Sequence, residues 1–209
     1  MREGLSPVRP APHPSGQPVL GVLAIQGDYE AHARALQSVG AHTIEIRKPE
    51  ELNGLDGLVM PGGESTTMLK FLNHGGFFET LQIFLKTTPC LATCAGAILL
   101  ARKVISPPQR SLVLLDATVE RNAYGRQIDS TILTLPTKLP GGPLEMVFIR
   151  APRITQVGEK VEVLAERDGF PVLVRQANLL AATFHPEMTT DTRVQKLFLD
   201  IVRETQTAK

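Results

Sequence analysis

The chain has 209 residues, with 22 Lys and Arg against 21 Asp and Glu, and 43% apolar against 21% charged residues, the composition of a soluble globular protein of one domain or two small ones. Its near-neutral charge gives no electrostatic basis for binding nucleic acid or an anionic membrane, and its two cysteines make neither a disulfide framework nor a zinc spacing. The longest uncharged stretch, Thr87 to Ala101, is interrupted by Pro and Gly and falls short of a bilayer span, which argues against a membrane protein.

Met1–Pro18 holds five of the sixteen prolines and two arginines but no apolar run. It lacks the apolar core of a secretory peptide, so a cytoplasmic location is expected. The block reads as a disordered N-terminal extension, or a misplaced start, ahead of one domain over 19–209.

From Val19 strand and helix signals alternate. Val19–Ile25 is a continuous apolar run, the pattern of a strand covered on both faces. Tyr29, Ala33, Leu36 and Val39 recur at helical spacing, with Gly40 as the stop. Thr43–Ile46 and Leu55–Met60 read as strands, Glu64–Leu72 and Phe77–Leu85 as helices, and Cys90–Thr93 as a short strand followed by a helical AGAILLAR segment. This alternation argues for a mostly parallel sheet with helices on both faces. In the second half, Val113–Val119, Ser130–Leu135, Glu145–Ile149, Val161–Ala165, Val172–Arg175 and Leu179–Phe184 are strand candidates with few helices between them, which predicts an antiparallel extension of the sheet, some of it in hairpins. Asp168-Gly169 is a hairpin turn signal, and a final amphipathic helix carries Val194, Leu197, Phe198, Ile201 and Val202, with Thr190 or Asp191 as its cap.

Three segments could carry chemistry. Cys94, at a strand-to-helix junction among small residues (Ala92-Thr93-Cys94-Ala95-Gly96), has the pattern of a nucleophile elbow. A helix N-terminus there favours a thiolate and offers N–H groups to an oxyanion. The alternative is a small buried core cysteine, which suits Cys90 better. In Phe184-His185-Pro186-Glu187 the imidazole could take a thiol proton while the carboxylate orients it, the alternative being a loop histidine beside a solvated acid. His13, His32, His42 and His74 have no comparable partner nearby in sequence. Pro61-Gly62-Gly63-Glu64-Ser65 lacks the Gly-Lys-Ser/Thr ending of a phosphate loop and reads either as a turn before a capped helix or as a backbone donor for an oxyanion.

LAIQGDYEAH, LVMPGGESTTM, TCAGAILLA, VERNAYGRQIDS, VFIRAP and FHPEMT occur in the order found in the glutaminase subunits of pyridoxal 5'-phosphate synthase. The chain resembles that family, a branch of the class I (triad) glutamine amidotransferases, from about Val19 to Arg203. The resemblance implies a three-layer, flavodoxin-like α/β fold with a mostly parallel central sheet and an antiparallel β extension. It implies hydrolysis of glutamine through a thioester on Cys94, with His185 as base and then acid and Glu187 orienting it. Gly63 and Ala95 would supply the oxyanion hole, and Gly63, Glu64, Ser65, Arg121, Ile149 and Arg150 would hold glutamine; no cofactor or metal is implied. The ammonia would pass to a (β/α)8-barrel synthase subunit in an assembly of twelve synthase and twelve glutaminase subunits.

One departure is Ala92, where the family usually has Gly; a methyl there tightens the elbow if the backbone needs a conformation open only to Gly. A glutaminase for another acceptor would keep Cys94, His185 and Glu187 without RNAYGRQ and FIRAP. A cysteine hydrolase of the same elbow type and a non-catalytic regulatory subunit are the remaining readings.

Overall fold

In the computed structural model, which describes residues 16–121, 123 and 130–207, the first half of the chain alternates strand and helix. The apolar run VLGVL forms β1 (Val19–Leu23). α1 (Tyr29–Ser38) begins at Asp28, whose carboxylate accepts the Ala31 N–H at 3.1 Å, and the chain leaves it through Gly40 at φ +94°. β2 (His42–Ile46), β3 (Gly57–Met60), α2 (Ser65–Leu72), α3 (Phe77–Phe84) and β4 (Cys90–Thr93) follow, each close to its predicted bounds.

The AGAILLAR segment differs from expectation. α4 (Ala95–Leu100) ends at Leu100, and Ala101–Ile105 is a strand, β5. The Leu99 and Leu100 carbonyls accept N–H groups from Leu112 and Leu114, at 2.7 and 3.0 Å, so the returning chain satisfies the helix end that a further turn would have satisfied.

The remaining elements are β6 (Leu115–Glu120), β7 (Thr131–Leu135), β8 (Leu144–Phe148), β9 (Arg153–Val157), β10 (Glu162–Arg167), β11 (Phe170–Gln176), β12 (Leu179–Ala182) and α5 (Arg193–Thr207). β9 has no counterpart among the predicted strands, because Ile154 and Val157 break the period-two pattern. Asp168 and Gly169 turn between β10 and β11 with φ of +52° and +77°, as the Asp-Gly signal predicts. α5 follows Thr192, whose carbonyl accepts the Lys196 N–H at 2.9 Å, one residue beyond the expected caps, while the Asp191 carboxylate accepts the Arg193 N–H at 3.0 Å.

The central sheet has seven strands in the order β10-β11-β12-β4-β3-β1-β2. β12, β4, β3, β1 and β2 are parallel, and β11 and β10 extend them antiparallel. The expected antiparallel extension is therefore real but shorter than the run of strand candidates. β5, β6 and β9 form a separate sheet, and β7 and β8 a separate hairpin. Their apolar residues pack over the faces of the structure and not along its edge, a distinction that alternation along one strand does not encode.

Alternation does sort the core. Leu58, Met60, Ala92 and Ala181 point to the side covered by α2, α3 and α4, where Val104, Leu115 and Ile154 of the small sheet also pack. Val59, Leu91, Leu180 and Ala182 point to the side covered by α1, α5 and the β7–β8 hairpin. Because α1 leaves β1 toward one face and α2 leaves β3 toward the other, a crevice opens at the carboxyl ends of these strands, where α/β sheets bind ligands. No helix among the described residues is long and apolar enough to cross a membrane.

Candidate active site

Three loops meet at that crevice, after β3, β4 and β12. β4 hands the chain directly to Cys94, the cap of α4, at φ +46° and ψ −104°, a left-handed conformation that disfavours any residue with a Cβ. Neighbouring strands impose it. The Cys94 N–H donates to Ala182 O at 2.8 Å, and the Gly96 N–H donates to Pro61 O at 3.2 Å. Cys94 is 6% exposed, and Ala95 is the first residue of the helix, so its N–H has no intrahelical acceptor.

His185 follows β12 by three residues. Its N–H donates to Val147 O at 2.8 Å, and the neighbouring Phe184 ring packs on Phe148 with centroids 5.8 Å apart, so the β7–β8 hairpin braces the histidine. Nδ1 of His185 lies 2.7 Å from Glu187 Oε1 in the helical turn Pro186–Met188. Burial disfavours charge on His185, but hydrogen bonds and attraction from Cys94 and Glu187 outweigh it and raise the imidazole pKa to about 10. Glu187 shows the mirror image: burial opposes its charge, yet His185 and His32 pull its carboxyl down to about 2. The sequence-predicted triad residues thus come together with the imidazole between thiol and carboxylate.

Gly62 explains the close fit of the Pro-Gly-Gly turn. A Cβ there would stand 2.5 Å from His185 Cε1 and 3.3 Å from Cys94 Cβ, so only a glycine lets the turn pass alongside both groups. Gly63 follows at φ +134°. Glu64 caps α2, accepting the Thr67 N–H at 3.0 Å and the Thr66 hydroxyl, while its other oxygen faces Arg121 Nη2 at 3.3 Å. Ser65 is buried and donates its hydroxyl to Gln109 at 3.0 Å. Ile149 and an exposed Arg150, at φ +44°, follow the end of β8. Asn122 and residues 124–127 of the RNAYGRQ motif lie outside the described residues, as do 128 and 129.

Ala92 sits in β4 without a left-handed backbone, opposite Met60 on one side and Ala181 on the other. The small partner on β12 leaves room for its methyl, and the elbow's unusual dihedrals begin only at Cys94. Cys90, earlier on the same strand, is fully buried, and burial pushes its thiol pKa far up, which fits a packing role.

Sequence reasoning missed His32. It is fully buried on α1, with Nε2 3.1 Å from Thr93 Oγ1 and 3.2 Å from Glu187 Oε2. The available signal was a histidine one turn before Leu36 on the apolar face of a helix.

Comparison with known proteins places this geometry in context. The SNO glutamine amidotransferase family matches residues 22–204. The pyridoxal 5'-phosphate synthase subunit PdxT of Koribacter versatilis is 59% identical over 184 residues, spanning 88% of this chain and 95% of that protein. The subunit of the same name from Solibacter usitatus is 49% identical over 186 residues, spanning 86% of this chain and 97% of that one. A crystal structure of a glutamine amidotransferase superposes with a TM-score of 0.82 at 44% identity, covering 88% of this chain and 98% of that one.

Proposed function

The chain belongs to the SNO glutamine amidotransferase family, and from that premise we propose that it is a glutaminase that feeds ammonia to pyridoxal 5'-phosphate synthesis. Cys94 gives its thiol proton to His185 as its Sγ attacks the side-chain amide carbon of L-glutamine. The N–H groups of Ala95 and Gly63 receive the oxyanion, a task suited to donors fixed before substrate arrives. His185 gives its proton to the departing nitrogen, so ammonia leaves and a glutamyl thioester remains. Water then attacks the thioester, His185 takes the water proton, and glutamate departs with the thiol restored. Glu187 holds the imidazole in the tautomer this exchange needs.

Glutamine is a zwitterion, and we assign its α-amino and α-carboxylate groups to Gly63, Glu64, Ser65, Arg121, Ile149 and Arg150, a set that offers charges of both signs. The acceptor we assign is a (β/α)8-barrel synthase subunit, in an assembly of twelve and twelve, with the protein acting in the cytoplasm as one glutaminase domain over 19–209. Direct transfer suits the chemistry, because ammonia released into neutral water becomes largely non-nucleophilic ammonium.

The observation that carries this reading is the left-handed Cys94 beside an imidazole bonded to Glu187 at 2.7 Å. The test is glutamate release from glutamine with and without the barrel subunit. Strong stimulation by that subunit is expected. Hydrolysis indifferent to it would move the protein to another acceptor, and no hydrolysis despite binding would leave a regulatory subunit. Cys94→Ala should abolish glutamine-dependent pyridoxal 5'-phosphate synthesis by the complex while leaving synthesis from added ammonium salt intact; glutamine hydrolysis surviving that change would refute the nucleophile assignment.

A further inference from the structure

Glu187 is a carboxylate with almost no access to water, its side chain 1% exposed, and a buried carboxylate needs donors on both oxygens to stay ionised. Oε1 receives Nδ1–H of His185. Oε2 accepts no well-formed hydrogen bond among the described residues and faces His32 Nε2 at 3.2 Å, an ion-pair contact. His32 Nδ1 is also buried and has no partner among them. A proton on Nδ1 would be an N–H buried without an acceptor, so the ring carries its proton on Nε2, between Thr93 Oγ1 and Glu187 Oε2. Thr93 is the residue immediately before the nucleophile. One imidazole, delivered by α1, therefore touches both the acid of the triad and the strand end that presents Cys94.

We infer that His32 is a positioning residue of the active site, which anchors the second oxygen of Glu187 and ties it to the Thr93–Cys94 strand end. It does not reach the substrate; it acts through Glu187 on the orientation and charge of His185. This rests on the triad assignment proposed above. A histidine that only filled the core would be replaceable by an apolar side chain of similar size, whereas one that anchors Glu187 is replaceable only by a side chain that places a donor where Nε2 stands. Gln does so, and Leu does not.

The ionisable groups of the cluster are His32 from α1, Cys94 from the β4–α4 junction, and His185 and Glu187 from the segment after β12. Their state is read by the rate at which iodoacetamide alkylates Cys94 in the full chain between pH 2 and 10, followed by intact mass, with Cys94→Ala reporting any reaction at Cys90. In His32→Leu the rate near neutral pH should fall by about ten- to hundred-fold, the worth of one hydrogen bond to a charged group. The acid limb should move up by about one pH unit, because Glu187 protonates more readily with one oxygen unanchored. His32→Gln should restore both. In the complex with the synthase subunit, kcat for glutamine should fall in His32→Leu with KM nearly unchanged.

If His32→Leu, folded by circular dichroism, keeps the wild-type rate and acid limb, the inference is wrong. Should that variant not fold, His32→Asn, whose amide is too short to meet Glu187, is read by the same two criteria. Alkylation that depends on His32 in a protein that never hydrolyses glutamine would sink the glutaminase reading and leave this inference standing.

Discussion

A left-handed backbone at a residue with a Cβ costs about 1–3 kcal/mol and persists only where neighbours over-determine it. At Cys94 the bond to Ala182 and the seating of α4 on Pro61 do so, and the result aims the thiol out of the sheet toward His185. Gly62 is the residue whose smallness makes that encounter possible. In Gly62→Ala the new methyl would begin 2.5 Å from His185 Cε1, so the ring or the turn must shift by a sizeable part of an ångström. Displacements of that size at reacting groups cost on the order of a hundredfold. We expect glutaminase kcat to fall by about that factor with the melting temperature lowered far less; an active Gly62→Ala variant would show that the turn moves freely. The meeting of Cys94, His185 and Glu187 was legible in the chain because a cysteine among small residues and a His-x-Glu after a strand are local patterns. His32 was not, because its partner is remote in sequence and only the docking of α1 on the sheet brings them together.

Among elements, α4 is the shortest α-helix described and the one on which the elbow depends. Gly96, its second residue, packs so closely on β3 that a Cβ would lie 2.2 Å from Met60 O, a backbone atom that cannot rotate away. Gly96→Ala should therefore push α4 off the sheet. Overpacking of this kind costs about 1–3 kcal/mol, which urea denaturation would register as a lower midpoint. Activity should fall as well, since the Ala95 N–H moves with the helix. An unchanged midpoint would mean that β3 yields more easily than its place in the sheet suggests. The parallel strands were readable because burial on both faces leaves unbroken apolar runs, as in Leu58–Met60 and Leu179–Ala182. The break between α4 and β5 was not, because Ala, Ile and Leu continue a helical pattern right up to a strand that forms only when β6 arrives to pair with it. β9 likewise owes its strand conformation to pairing with β6 and not to its own alternation.

At the scale of the molecule, the site joins parts of the chain that no local signal connects: α1, the end of β4 and the segment after β12, with the β7–β8 hairpin bracing the last. Its ionic core makes that union depend on pH. The Glu187 carboxyl falls from 4.5 to about 2 on folding, so its contribution to stability is complete above about pH 4.5 and is lost as the pH drops toward 2. The His185 imidazole rises from 6.5 to about 10, so its contribution is complete below about pH 6.5 and is lost as the pH climbs toward 10. Both are fully present only between about pH 4.5 and 6.5. Glu187→Gln removes the charge that His185 and His32 share, so the difference in melting temperature between wild type and this variant should peak in that window and shrink on either side. A difference that stays flat from pH 3 to pH 9 would mean that the carboxylate holds the loops together as a neutral hydrogen-bond acceptor and that its charge contributes nothing to folding.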